Sequence, residues 1–189
     1  MLVLLHDYTS PASAVAVARV TRLIAEGMPA RIEGTEVVGV EATLPVTLDL
    51  IAELDAVAAQ ARAEGVVLRR PAGLPPTAAA HLLEELAREL DRADAWRARC
   101  YRAFWADGDD IGDHAVLRRL AGDVGLPPEE AARRIGDRMA LLEIRQRFAA
   151  HRRDGVGGVP TISYDRTLIP GLLDEADLRA LAALGPSSA

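Results

Sequence analysis

Apolar residues run without interruption from Met1 to Leu5 and stop at His6 and Asp7, which predicts a short buried first strand over residues 2–6. A polar turn follows, Asp7 to Ser13. It leads into the helical stretch Ala14–Ala25, which ends before Gly27. Pro11 stands in the first helical turn, where proline is tolerated, and this puts Ser10 at or just before the N-cap. A second strand is expected around Arg31–Glu33 or around Glu36–Val38, a segment interrupted by Gly34 and Gly39. Residues 46–64 carry Leu48, Ile51, Leu54 and Val57 or Ala58 at helical spacing, and Val66–Leu68 reads as a short extended piece.

From 77 to 153 the pattern is helical almost throughout. Leu82, Leu83, Leu86 and Leu90 form one stripe, and Trp96, Cys100 and Phe104 continue it to Gly108. Asp113 is a natural N-cap for a helix bearing Val116, Leu117, Leu120 and Val124, with Gly125 just past its end. Pro127 and Pro128 restart the chain as another helix, followed by an arginine-rich one reaching Arg153. Strands return after Gly155. Thr161–Tyr164 and Thr167–Ile169 flank Asp165 and Arg166 as a hairpin. Asp174 caps a last amphipathic helix through Leu178, Leu181 and Leu184, and Pro186–Ala189 reads as a frayed tail. Strands, a helical block, then a hairpin and a helix predict an α/β core with an all-helical insertion. The boundaries are 1–70 for the N-terminal part, 71–153 for the insertion and 154–189 for the C-terminal part.

Composition narrows the partners. Half of the 189 residues are hydrophobic, enough for a sizeable core. The formal net charge is −6, which disfavours nucleic acid as a partner. Every basic residue is arginine. The apolar start is too short for a signal peptide or a membrane span, and a lone cysteine, Cys100, can form no internal disulfide. A cytoplasmic protein that engages no membrane is the expectation. Cys100, on the stripe with Trp96 and Phe104, is expected to be buried and inert.

Two segments carry candidate chemistry. Ser10 and Ser13 stand at the head of the first helix, where unpaired backbone N–H groups and the helix dipole favour an anion. A cysteine there would become a reactive thiolate. A serine hydroxyl instead can donate a hydrogen bond to a thiolate brought by a ligand. Simple N-capping is an equally good reading of the two serines. Further along, Val159–Pro160 precedes a strand. A cis bond there would leave the Val159 main chain open to an extended ligand. His81 is a weak candidate for substrate binding, against the plainer reading of a packed histidine. His6, His114 and His151 show no spacing that suggests a metal site, and none is expected.

The motif Asp7-x-x-Ser10-Pro11-x-Ser13 resembles the Asp-x-x-Cys-Pro-x-Cys opening of FrnE-like oxidoreductases of the DsbA family. It also resembles the Ser-Pro-x-Ser version of 2-hydroxychromene-2-carboxylate isomerases and kappa-class glutathione transferases. Pro75 to His81 is similar to the Asn-Thr-x-x-Ala-His segment that opens the family's insertion. Arg102–Gly108, Asp110–Asp113, Val116–Leu117, Gly155–Thr161 and Ile169–Gly171 match further family segments in the same order. The resemblance implies a thioredoxin-like fold with a large α-helical insertion and a cis-Pro160 facing Ser10. It departs where both redox cysteines are serine, where Ala12 replaces an aromatic and where Pro76 replaces asparagine. Leu172 and Leu173 also replace the Asp-Arg that helps hold glutathione in isomerase-type members.

Dithiol–disulfide exchange through Ser10 and Ser13 is therefore excluded. The expected activity is that of a thiol-dependent isomerase or transferase. Ser10 would stabilise the thiolate of a low-molecular-weight thiol (glutathione or an equivalent), and Ser13, Val159 and Pro160 would hold that cofactor. The partner would be a small electrophilic substrate. The alternative is a redox-inactive protein that binds an extended peptide. A homodimer is open, since relatives often pair.

Overall fold

The computed structural model describes residues 1–37 and 39–184. Its first strand, β1 (Leu2–His6), is buried at every position but Val3, as expected of a strand covered on both faces. The chain continues into α1 (Pro11–Ala25) and β2 (Ala30–Gly34), which pairs parallel to β1 with His6 opposite Gly34. Then come α2 (Leu48–Ala63), the helices α3 (Ala78–Glu89), α4 (Ala93–Arg102), α5 (His114–Asp123), α6 (Pro128–Gly136) and α7 (Arg138–Arg153), and the hairpin β3 (Thr161–Tyr164) and β4 (Thr167–Pro170). The last helix is α8 (Glu175–Ala183). The sheet order is β2-β1-β3-β4, with β3 antiparallel to both neighbours. The second strand thus falls at the first of the two expected places. Val38, at the end of the other, lies outside the described residues, as do 185–189 with the expected tail.

Local chemistry sets most boundaries. Ser10 caps α1 by accepting the Ser13 N–H at 3.1 Å, and Gly27, at φ 98°, supplies the left-handed residue that turns the chain toward β2. Asp165 and Arg166 both have positive φ, the geometry of a two-residue hairpin. Asp113, Asp137 and Asp174 cap α5, α7 and α8. The head of α3 is different. Thr77 makes no side-chain cap; the Glu36 Oε1, 41 residues away, accepts the Thr77 N–H at 2.8 Å and the Ala78 N–H at 3.2 Å.

Three sequence expectations need correction. The apolar stripe of α2 is rotated: Leu48 is 82% exposed, and Leu50, Val57 and Ala61 are the buried positions. Residues 66–68 form no strand; Val66 and Leu68 lean on the core as irregular chain. Leu90 and Leu184, taken as stripe residues, are exposed.

The helical block α3–α7 is inserted between α2 and β3 and shares one apolar core with the sheet. Its α4 runs into a π-helical turn, Ala103–Asp107, closed by Gly108. Two aromatic residues of this stretch fasten the block to the turn after β1. The Tyr101 hydroxyl donates to the Asp7 carbonyl at 3.1 Å, and the Trp105 Nε1–H donates to the Tyr8 carbonyl at 3.0 Å. Both ring systems are buried, so the insertion fixes the chain just before Ser10.

Candidate functional site

The head of α1 and the start of β3 meet. Ser10 Oγ lies 3.3 Å from the Val159 carbonyl oxygen, and the Val159–Pro160 peptide bond is cis. Among the described residues the Val159 N–H has no acceptor. Pro160 is buried and Val159 half-buried. Ser13 is fully buried, and its Oγ has no hydrogen-bond partner among the described residues. Ser10, Ser13, Val159 and Pro160 are thus brought to one place, with the α1 N-terminus pointing into it.

One residue here escaped the sequence reading. Glu53, on α2, places its Oε1 3.5 Å from Ser10 Oγ and 3.4 Å from the Ala12 N–H. Burial pushes the Glu53 carboxyl above the usual glutamate range, and the Ala12 N–H and Ser10 hydroxyl pull it partly back. Nothing in the spacing of α2 marks Glu53, because its meaning comes from how α2 packs on α1.

His81 does not join Ser10. It is 2% exposed and belongs to a buried polar cluster behind the turn, with His6, Asp7, Tyr8, Glu84, Arg97 and Tyr101. Its Nδ1 is 3.5 Å from Glu84 Oε2 and its Nε2 is 3.8 Å from Asp7 Oδ1, ion-pair distances too long for hydrogen bonds. Burial disfavours the imidazolium, but the two carboxylates outweigh it and raise the His81 pKa to about 9. His6 moves the other way, because burial exceeds the pull of Glu84. Burial also works against the Glu84 carboxylate, yet His6, His81 and Arg97 together hold it well below the usual range. Glu84 Oε2 accepts from the Tyr8 hydroxyl at 2.7 Å, and Oε1 accepts from Arg97 Nη1 at 2.8 Å.

This cluster changes the reading of the histidines. His6, His81 and Glu84 each bring one ligand-capable atom within 4.8 Å of the others, so the structure gathers a donor set that sequence spacing concealed. His81-x-x-Glu84 on one helix face was the only available signal. Cys100 is fully buried, and burial drives its thiol well above the ordinary range.

A four-stranded mixed sheet, a proline loop facing the head of the first helix and a helical insertion together define a thioredoxin-like protein. The chain belongs to the DSBA-like thioredoxin domain family, whose profile matches residues 2–182. It has a single cysteine and therefore no dithiol pair. No protein of curated function matches the sequence. Among solved structures it is similar to a probable DsbA oxidoreductase from Streptomyces coelicolor, at 25% identity and a TM-score of 0.83, covering 100% of this chain and 92% of that one. It is also similar in fold to a 2-hydroxychromene-2-carboxylate isomerase, at 18% identity and a TM-score of 0.76, with 97% and 94% covered. The cytosolic disulfide reductase DsbM from Pseudomonas aeruginosa, solved with GSH, shares 22% identity at a TM-score of 0.67, with 97% and 96% covered. No helix among the described residues is long and apolar enough to cross a membrane.

Proposed function

We propose that the head of α1 binds the sulfur of a low-molecular-weight thiol, glutathione or an equivalent, and that the protein is a thiol-dependent isomerase or transferase. The observation that carries this reading is the approach of Ser10 Oγ to Val159 beside the cis peptide bond, 3.3 Å across the site. A ligand thiolate there would take the Ser10 hydroxyl as donor, with the α1 dipole stabilising its charge. The ligand's own backbone would pair with the Val159 N–H. The thiolate would add to an electrophilic carbon of the substrate. In an isomerase it would then leave, so that the thiol is regenerated. DsbM, a protein of the same fold, is solved with GSH, which agrees with this choice of ligand. The protein would act in the cytoplasm on a small electrophile, with His81 too deeply buried behind the turn to touch it.

The test is thermal denaturation with glutathione and with S-methylglutathione. A ligand at 100 times its Kd stabilises by ~2.7 kcal/mol. Glutathione raising the melting temperature, the S-methyl form failing to, and Ser10→Ala abolishing the difference would uphold the reading. Equal response to both would refute it.

A second reading has its own support. The Glu53 carboxylate already stands at the α1 N-terminus, while the Val159 N–H lacks an acceptor among the described residues. Those two features suit a redox-inactive protein that pairs an extended peptide along Val159 and needs no sulfur. Stabilisation by unstructured peptides, with none by free thiols, would favour it.

A further inference from the structure

We propose that His6, His81 and Glu84 form a binding site for one divalent transition-metal ion of the zinc class, independent of the Ser10 site.

Distances support three ligands around one ion. His6 Nε2 is 3.1 Å and His81 Nδ1 is 3.5 Å from Glu84 Oε2, the separations expected of neighbouring ligand atoms when each lies about 2.0–2.2 Å from a central Zn2+. Both ring nitrogens of His81 are buried and lack a hydrogen-bond partner among the described residues.

Hydrogen-bond accounting points the same way. The Tyr101 hydroxyl has one proton and contacts both the Asp7 carbonyl, at 3.1 Å, and His6 Nδ1, at 2.9 Å. When Tyr101 donates to Asp7, it can only accept from His6, which then carries its proton on Nδ1. The bare Nε2 of a neutral His6 then faces a carboxylate oxygen that already accepts from Tyr8. In that tautomer two lone pairs face each other, and a cation between them resolves the conflict; in the other, Nε2–H donates to Glu84.

Supporting contacts are in place. His6 Nδ1 is held by Tyr101, Glu84 Oε1 by Arg97, and His81 Nε2 faces Asp7, the kind of outer contacts that orient metal ligands. Charge balance agrees as well. Asp7, Glu36 and Glu84 are buried carboxyl groups in this region, beside the buried Arg97 guanidinium and a His81 ring whose proton the ion would displace. His81 and Glu84 also line a cavity of about 200 Å³ whose walls include Arg88, Phe148 and His151. His151 Nδ1 is also buried and unpartnered among the described residues, so three of the four histidines adjoin this region. Water in the cavity would supply the remaining ligands.

The experiment uses the untagged full chain, stripped with chelator. Zn2+ is titrated by calorimetry and Co2+ by visible absorption. The expected result is one ion per chain with Kd below about 10 µM and d–d bands of a low-coordinate nitrogen–oxygen site. His81→Phe, which keeps a ring against Tyr8 and Phe148, should weaken binding at least about 100-fold, and His114→Ala should leave it unchanged. If His81→Phe fails to fold, the wild-type chain still decides: Co2+ should broaden the ring signals of His6 and His81 and spare those of exposed His114. No stoichiometric binding, binding retained by a folded His81→Phe chain, or broadening centred on His114 would each overturn the proposal.

Discussion

The Glu53 carboxylate stands 3.4 Å from the Ala12 N–H, so the anion-favouring end of α1 is occupied by an anion of the same chain. Any ligand that brings negative charge to Ser10 must meet that carboxylate or wait for its protonation. Burial raises the Glu53 pKa, so neutral Glu53 is populated at higher pH than an exposed glutamate would allow. The sign is then fixed: anion binding weakens as pH rises through the Glu53 titration. Glutathione sulfonate, whose sulfonate stays ionised across this range, is the suitable probe. Its affinity should fall with rising pH in the wild type and stay flat in Glu53→Gln, with the variant binding more tightly near neutrality. Calorimetry across the range from pH 4 to pH 8 checks this; a pH slope unchanged by the substitution would remove Glu53 from the site.

The two serines should behave differently on removal. Ser10 accepts the Ser13 N–H as the cap of α1, so Ser10→Ala should cost about 1 kcal/mol of stability. Ser13 Oγ is buried without a partner among the described residues, and an unsatisfied buried hydroxyl is a burden to the fold. Ser13→Ala should be at least as stable as the wild type. Urea midpoints at constant slope measure both. A large loss in Ser13→Ala would mean that the hydroxyl has a structural partner.

Gly34 has no room for a side chain. A β-carbon there would run into the His81 ring, closer than real β-carbon contacts come. The ring packs against Tyr8, His6 and Phe148, which limits how far it can yield. Gly34→Ala should destabilise by about 1–3 kcal/mol through overpacking. Chemical denaturation reads the loss, and an unchanged midpoint would show that the cluster yields easily.

Cys100 should be silent toward thiol reagents. It is fully buried on α4 and its thiol pKa is raised far above neutrality by burial. Ellman's reagent at pH 8 should release no colour from the folded chain and one equivalent after denaturation. Rapid reaction in the native state would contradict this burial.

Much of this protein is written locally. The run Met1–Leu5, the cap at Ser10, the glycine after α1, the aspartates before α5, α7 and α8, and the two turn residues of the hairpin fix elements through interactions a few residues long. Such signals survive in a linear text because periodicity, capping and turn geometry depend on near neighbours. The ordered match to the DsbA-type segments added the topology, since strand order follows from family rather than from spacing.

Only the packed chain decided the rest. Which face of α2 is buried depends on where α1 lies, and so Leu48 ended outside and Glu53 beside Ala12. The cap of α3 comes from Glu36, and the meeting of His6 with His81 and Glu84 joins a strand to a helix of the insertion. These contacts span 41 and 78 residues, distances over which sequence spacing carries no geometric information. Polar groups gathered from remote segments become legible only when burial forces each one to find a partner in space.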